Sequence, residues 1–186
     1  MDNIDKKRMI IRRISGDITR VESDAIITAI NSSGLWFGGI DGAIRSVAGD
    51  MYHGQVAQML VQGELSDLKV VVATGDHSSH RGKFDNVVFV IDDLQSPLRQ
   101  VITKGLEAAD DAGFKKVAIP AIRTGVMIGV VEKNLRDVVH EYAAGIRDYV
   151  INKTINDKQD PIIQEIRFVT YNNPELEEIL RRIIKE

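Results

Sequence analysis

Asp24-Ala25-Ile26-Ile27-Thr28-Ala29-Ile30-Asn31-Ser32-Ser33-Gly34-Leu35-Trp36-Phe37-Gly38-Gly39-Ile40-Asp41-Gly42-Ala43-Ile44 is the stretch that decides the fold. Asp24 to Ala29 is almost unbroken in apolar character, the pattern of a strand covered on both faces of a sheet. The chain then leaves through Asn31 and a Gly-rich turn, and Ile40 to Val47 resumes with helical spacing. Such a strand, turn and helix carry bare backbone N–H groups to a helix N-terminus, a setting suited to a phosphate. The same pattern also serves as a plain strand-to-helix connection. Neither G-x-G-x-x-G nor G-x-x-x-x-G-K-[ST] occurs in the stretch, which argues against dinucleotide-dehydrogenase and P-loop readings.

Outward from it, Met9 to Ile14, Lys69 to Ala73, Asn86 to Ile91, Lys116 to Ile122 and Ile163 to Tyr171 read as further strands. Met51 to Val61 reads as a second helix, set off near Gly49. Ser96 with Pro97 predicts a capped start for a helix that stops at Gly113. Another helix is predicted over Glu132 to about Ile151, with Leu135, Val138, Val139, Tyr142, Ala143, Ile146 and Tyr149 facing a core. Asn152 to Pro161 reads as a polar loop, and Asn173-Pro174-Glu175 opens a terminal helix. Strands alternating with helices in this way predict a three-layer α/β/α sandwich around a mostly parallel mixed sheet, with the early strand pair leaving room for an antiparallel edge. The ligand is then expected at the carboxyl ends of the strands, where the loops after Ile30 and Ile122 converge.

Composition narrows the function. The 186 residues are 44% apolar, enough for one core, and residues 1–186 read as a single domain. Absence of cysteine excludes disulfides and thiolate metal sites. A formal charge of −3 with scattered basic residues disfavours a polynucleotide partner, and no apolar run reaches membrane-span length. The expected compartment is cytoplasmic. Asp76-His77-Ser78-Ser79-His80 offers possible metal ligands, but a surface loop without further His or Cys nearby favours a solvated segment. His53 and His140 fall on predicted helices and read as solvated or packed rather than catalytic.

Gly16-Asp17-Ile18-Thr19, Asp24 to Asn31, Gly38-Gly39-Ile40-Asp41-Gly42-Ala43-Ile44 and Ile119-Pro120-Ala121-Ile122-Arg123-Thr124-Gly125-Val126 together resemble the signature segments of the macrodomain family, which binds ADP-ribose. The resemblance spans nearly the whole chain and implies a macrodomain-like fold with no cofactor and no metal. It assigns Asp17 to the adenine amine, with the Ile18 amide beside it and Tyr171 near the base; from sequence alone, Asp17 also reads as a turn residue. Phe37, Gly38, Gly39 and Ile40 on one loop, and Arg123, Thr124, Gly125, Val126 and Met127 on the other, would hold the diphosphate and distal ribose. Arg123 would add a cation at the loop edge or be solvated. Asn31 matches the residue on the ribose hydroxyls and Asp41 the carboxylate of the hydrolase branch, which positions water or acts as a base.

Those matches imply an enzyme that removes ADP-ribose or an acyl group from an ADP-ribosyl ester. A non-catalytic ADP-ribose-binding module and an ADP-ribose 1″-phosphate phosphatase are the alternatives. The implied partner is ADP-ribose or an ADP-ribosylated substrate. The chain departs from the family pattern at Thr28, where Asn is usual, and at Trp36-Phe37, which interrupt the Gly run. It departs again at Arg123, where Ser is common, and at Met127, where an aromatic often covers the distal ribose; Phe37 or Trp36 can supply that cover.

Overall fold

A computed structural model describes residues 9–33, 39–63 and 65–183. Six strands, β1 (Ile10–Ser15), β2 (Ser23–Ile30), β3 (Val70–Ala73), β4 (Phe84–Ile91), β5 (Lys116–Pro120) and β6 (Glu165–Thr170), form one sheet in the order β1-β6-β5-β2-β4-β3. All neighbours run parallel except β3, which pairs antiparallel with β4 at one edge. The antiparallel edge therefore lies at β3 and not in the early strand pair: β1 and β2 are not neighbours, because β6 and β5 insert between them.

Period-two alternation divides the core between the two faces of the sheet. Ala25 and Ile27 of β2 and Val88 and Val90 of β4 face α3 (Leu98–Asp111), α4 (Leu135–Ile151) and α5 (Pro174–Ile183). Ile26 and Ile30 of β2 and Val87, Phe89 and Ile91 of β4 face α1 (Gly39–Ala48), α2 (His53–Val61) and the 3₁₀ turn Ile18–Arg20. Both faces of β2 and β4 are thus buried, which is why their sequences read as apolar runs. Gly105 of α3 lies so close to the sheet that an added Cβ would stand 2.4 Å from Cγ2 of Ile27. No helix among the described residues is long and apolar enough to cross a membrane.

Several element ends shift by a residue or two from the sequence reading, and at three places a long-range contact accompanies the difference. Ser96 does not cap α3: its hydroxyl donates to Asp67 (2.6 Å), and Pro97 itself takes the cap position. The first amides of α3 are satisfied from elsewhere, Leu98 N by Glu132 Oε1 (2.9 Å) and Arg99 N by Glu141 Oε2 (3.1 Å). Glu132 accordingly lies outside α4, whose cap is Asn134, accepting from Asp137 N at 3.0 Å. Beyond Ile151 the chain continues as a π-helical turn, Asn152–Asn156, where a loop was expected. There Lys153 is buried between Asp110 (3.0 Å) and Asp111 (2.6 Å).

Candidate functional site

A cavity of about 400 Å³ opens at the carboxyl ends of β5 and β6, within the size range of small-molecule sites. Six of the residues expected at the site line it: Asp17, Ile18, Gly39, Ile40, Thr124 and Tyr171. Ile18 is buried while Tyr171 is 68% exposed at the rim. Gly39 begins α1 with φ +54, a left-handed conformation that glycine adopts without steric cost. Gly16, Ala43, Pro120, Ala121 and Val169 complete the wall. Pro120 and Val169 were missed as site residues because they read as strand core; the usable signal was their place at strand ends, where α/β sheets present ligands.

Asp17 caps the 3₁₀ turn. Its Oδ1 accepts from Thr19 N (2.9 Å) and Thr19 Oγ1 (2.7 Å), so the turn role is real, and the other oxygen stands 3.7 Å from Arg20 Nε. One carboxylate oxygen is thus committed to the fold while the residue still borders the cavity. Asn31 follows β2 directly, and its Oδ1 accepts from Ser33 N at 3.1 Å. The next amide, Ser32 N, donates to Asp93 (2.8 Å), which fastens the exit of β2 to the loop after β4.

The second loop brings only Thr124 to the cavity; its hydroxyl donates to Ala121 O at 2.7 Å. Gly125, Val126 and Met127 are exposed and lie outside the cavity wall, as do Asn31 and Asp41. The side chain of Arg123 corrects the sequence expectation of a cation at the loop edge or in solvent. It points inward, buried, and its guanidinium donates to Asp92 (2.7 and 2.9 Å), Glu132 (2.8 and 2.9 Å) and Ser96 O (2.8 Å). Burial opposes its charge, but the bonds to the two carboxylates outweigh burial and hold its pKa above the ordinary arginine value. Arg123 adopts φ +60, so a strained residue is held at the loop by five hydrogen bonds. Phe37 and Gly38, with Trp36, lie outside the described residues.

Asp41 sits in the first turn of α1, where a carboxylate complements the helix terminus. Its Oδ1 is 3.3 Å from Nε2 of His53, the first residue of α2. His53 is 2% exposed and packs edge-on against Phe89 (ring centroids 5.0 Å apart). His53 was expected to be solvated or packed, and it is packed; the carboxylate partner was not legible, because twelve residues and a turn separate the two.

In the loop after β3, ligand atoms of Asp76, His77 and Asp85 lie within 4.8 Å of one another. His77 Nδ1 already pairs with Asp85 Oδ1, and His80 turns away to the Tyr52 hydroxyl (2.8 Å). The arrangement is accounted for by pairing within the protein.

The Macro domain model matches residues 27–135, and the chain belongs to the macro domain family. It is 34% identical over 122 residues to a macro domain-containing protein of Streptomyces coelicolor, covering 62% of this chain and 72% of that one. It is 32% identical over 121 residues to an O-acetyl-ADP-ribose deacetylase of Escherichia fergusonii, covering 62% and 68%. The fold is that of the Trypanosoma brucei macrodomain solved with ADP-ribose, with a TM-score of 0.70 at 18% identity over 99% of this chain and 73% of that one.

Proposed function

We propose that this chain, acting as a single domain, binds ADP-ribose in the cavity between Asp17 and Thr124 and hydrolyses ADP-ribosyl esters with Asp41. The observation that carries the reading is the cavity itself, bordered at once by Asp17, the Gly39–Ile40 turn and Thr124. Asp17 accepts from the adenine amine, and Tyr171 offers a face to the base, a contact worth about 1–3 kcal/mol. Backbone amides of Gly39, Ile40 and Thr124 hold the diphosphate. Hydrogen bonds to charged groups contribute about 1.5–3 kcal/mol each, so a few account for micromolar affinity, about 8 kcal/mol. Neutral donors explain how a chain of net charge −3 takes an anion, and they do so without Arg123, whose charge is spent on Asp92 and Glu132.

Asn31 engages the distal ribose, and Asp41 orients a water or takes its proton. For an acyl ester the water oxygen bonds to the carbonyl carbon, the acyl C–O bond breaks, and the ribose hydroxyl leaves with a proton. The deacetylase at 32% identity supports this chemistry. The cysteine-free composition fits a cytoplasmic setting.

Turnover of O-acetyl-ADP-ribose and of a mono-ADP-ribosylated acidic side chain, followed in the unmutated chain and in Asp41→Ala, is the test. Asp41→Ala is expected to cut turnover by about 10²–10⁴-fold with little change in ligand affinity. Binding of ADP-ribose without turnover of either substrate would leave a binding module. No heat with millimolar ADP-ribose in calorimetry would leave the fold alone.

A further inference from the structure

We infer that His53 is a positioning residue for Asp41, holding its carboxylate in one orientation at the start of α1; the inference rests on the hydrolase reading above and deepens it. An ionised carboxylate can only accept, so the 3.3 Å contact places a hydrogen on Nε2 of His53, which donates to Oδ1 of Asp41. The contact spans two helices, from the first turn of α1 to the first residue of α2, across the turn at Gly49. His53 has little freedom of its own. Its side chain is 2% exposed, and its ring meets the Phe89 ring of β4 edge-on at an interplanar angle of 62°.

A ring held in that way passes its rigidity to the carboxylate it touches. Asp41 is 15% exposed, more open than His53, and its other oxygen, Oδ2, has no partner among the described residues. One oxygen is held by His53, and the orientation in which the second meets a water is set with it. Short carboxylate side chains swing between staggered rotamers unless something selects one, and a misplacement of about 1 Å near reacting atoms costs as much as 10²-fold in rate. Packing alone does not require histidine here. Buried polar groups are costly without a partner, and leucine would meet Phe89 and the neighbouring apolar core without needing one.

The test uses the full chain with O-acetyl-ADP-ribose as substrate. His53→Leu is expected to lower kcat by about 10- to 100-fold while KM stays within about three-fold and the melting temperature holds or rises. His53→Gln, whose side-chain amide can donate to Oδ1, is expected to recover most of the loss. In an Asp41→Ala background, His53→Leu is expected to change kcat no further, because the two residues act as a unit. The imidazole ¹⁵N resonances of His53 are expected to report an Nε2 hydrogen that shifts when Asp41 is changed to Ala, a readout independent of turnover.

Wild-type kcat in His53→Leu, an equal loss in the Asp41→Ala background, or ¹⁵N resonances indifferent to Asp41 would each overturn the inference alone. Absence of turnover by the unmutated chain would overturn the hydrolase reading and this inference with it.

Discussion

Replacing Arg123 with methionine separates a structural arginine from a ligand-binding one. The side chains of Arg123, Asp92 and Glu132 are 2%, 6% and 5% exposed, so removing the guanidinium strands two carboxylates where water does not reach. Removing one member of a buried ion pair costs about 3–5 kcal/mol, a large share of a stability of about 5–15 kcal/mol. At about 2–4 °C per kcal/mol for a chain of this size, Arg123→Met is expected to melt roughly 6–20 °C lower. Substituting Asp92 and Glu132 with apolar residues at the same time should recover only part of the loss, because Glu132 also caps α3 through Leu98 N. Thermal unfolding by circular dichroism measures the first effect, and calorimetry with ADP-ribose measures any effect on the ligand. A variant that melts within about 2 °C of the parent yet loses ADP-ribose binding would place the guanidinium on the diphosphate and refute the assignment.

Asp17→Asn keeps an oxygen for Thr19 but removes the charge, and is expected to weaken ADP-ribose binding by about 1–3 kcal/mol. Equal affinity for the adenine ligand and its hypoxanthine analogue in the parent, unchanged in the variant, would reduce Asp17 to a turn residue. Gly105→Ala forces a Cβ against Ile27 and is expected to cost about 1–3 kcal/mol in denaturant unfolding; an unchanged midpoint would contradict the close approach of α3 to β2. The hydrogen bond to Asp85 raises the pKa of His77 above the usual imidazole value, whereas burial lowers that of His80. His77 therefore favours the fold at pH below its unfolded value and loses that contribution as pH rises through its raised one. His80 favours the fold above its unfolded value and loses that contribution as pH falls through its depressed one. In an NMR titration His77 should titrate at the higher pH of the two, and the reverse order would refute the pairing with Asp85.

The layers of the fold were legible because their signal is local. The apolar runs of β2 and β4, the helical spacing of Val138, Val139, Tyr142 and Ile146, and Asn173 before α5 each depend on neighbours in the sequence. What escaped depends on partners that arrive from far along the chain. Glu132 looks like the start of a helix until Arg123 and Leu98 are seen to claim it. Arg123 looks like a surface cation until Asp92 turns toward it. At the site, the family resemblance picked out Asp17, Ile18, Gly39, Ile40, Thr124 and Tyr171, whereas Pro120 and Val169 were hidden in strand core. The inward turn of Arg123 and the pairing of Asp41 with His53 depend on partners that only the folded chain brings together.

The placement of β1 bears on how the chain is made. It sits at the sheet edge beside β6 alone, paired from Ile10 with Glu165 to Ser15 with Thr170. A ribosome releases β1 well before β6, so until β6 follows the Ile10–Ser15 segment has no strand to pair with. Parallel pairing across so long a loop is slow to form, and an unpaired strand invites contacts with other chains while it waits. Arg12 and Arg13, adjacent between Ile11 and Ile14, put charge into that waiting strand, the kind of residue that keeps a lone edge from recruiting another.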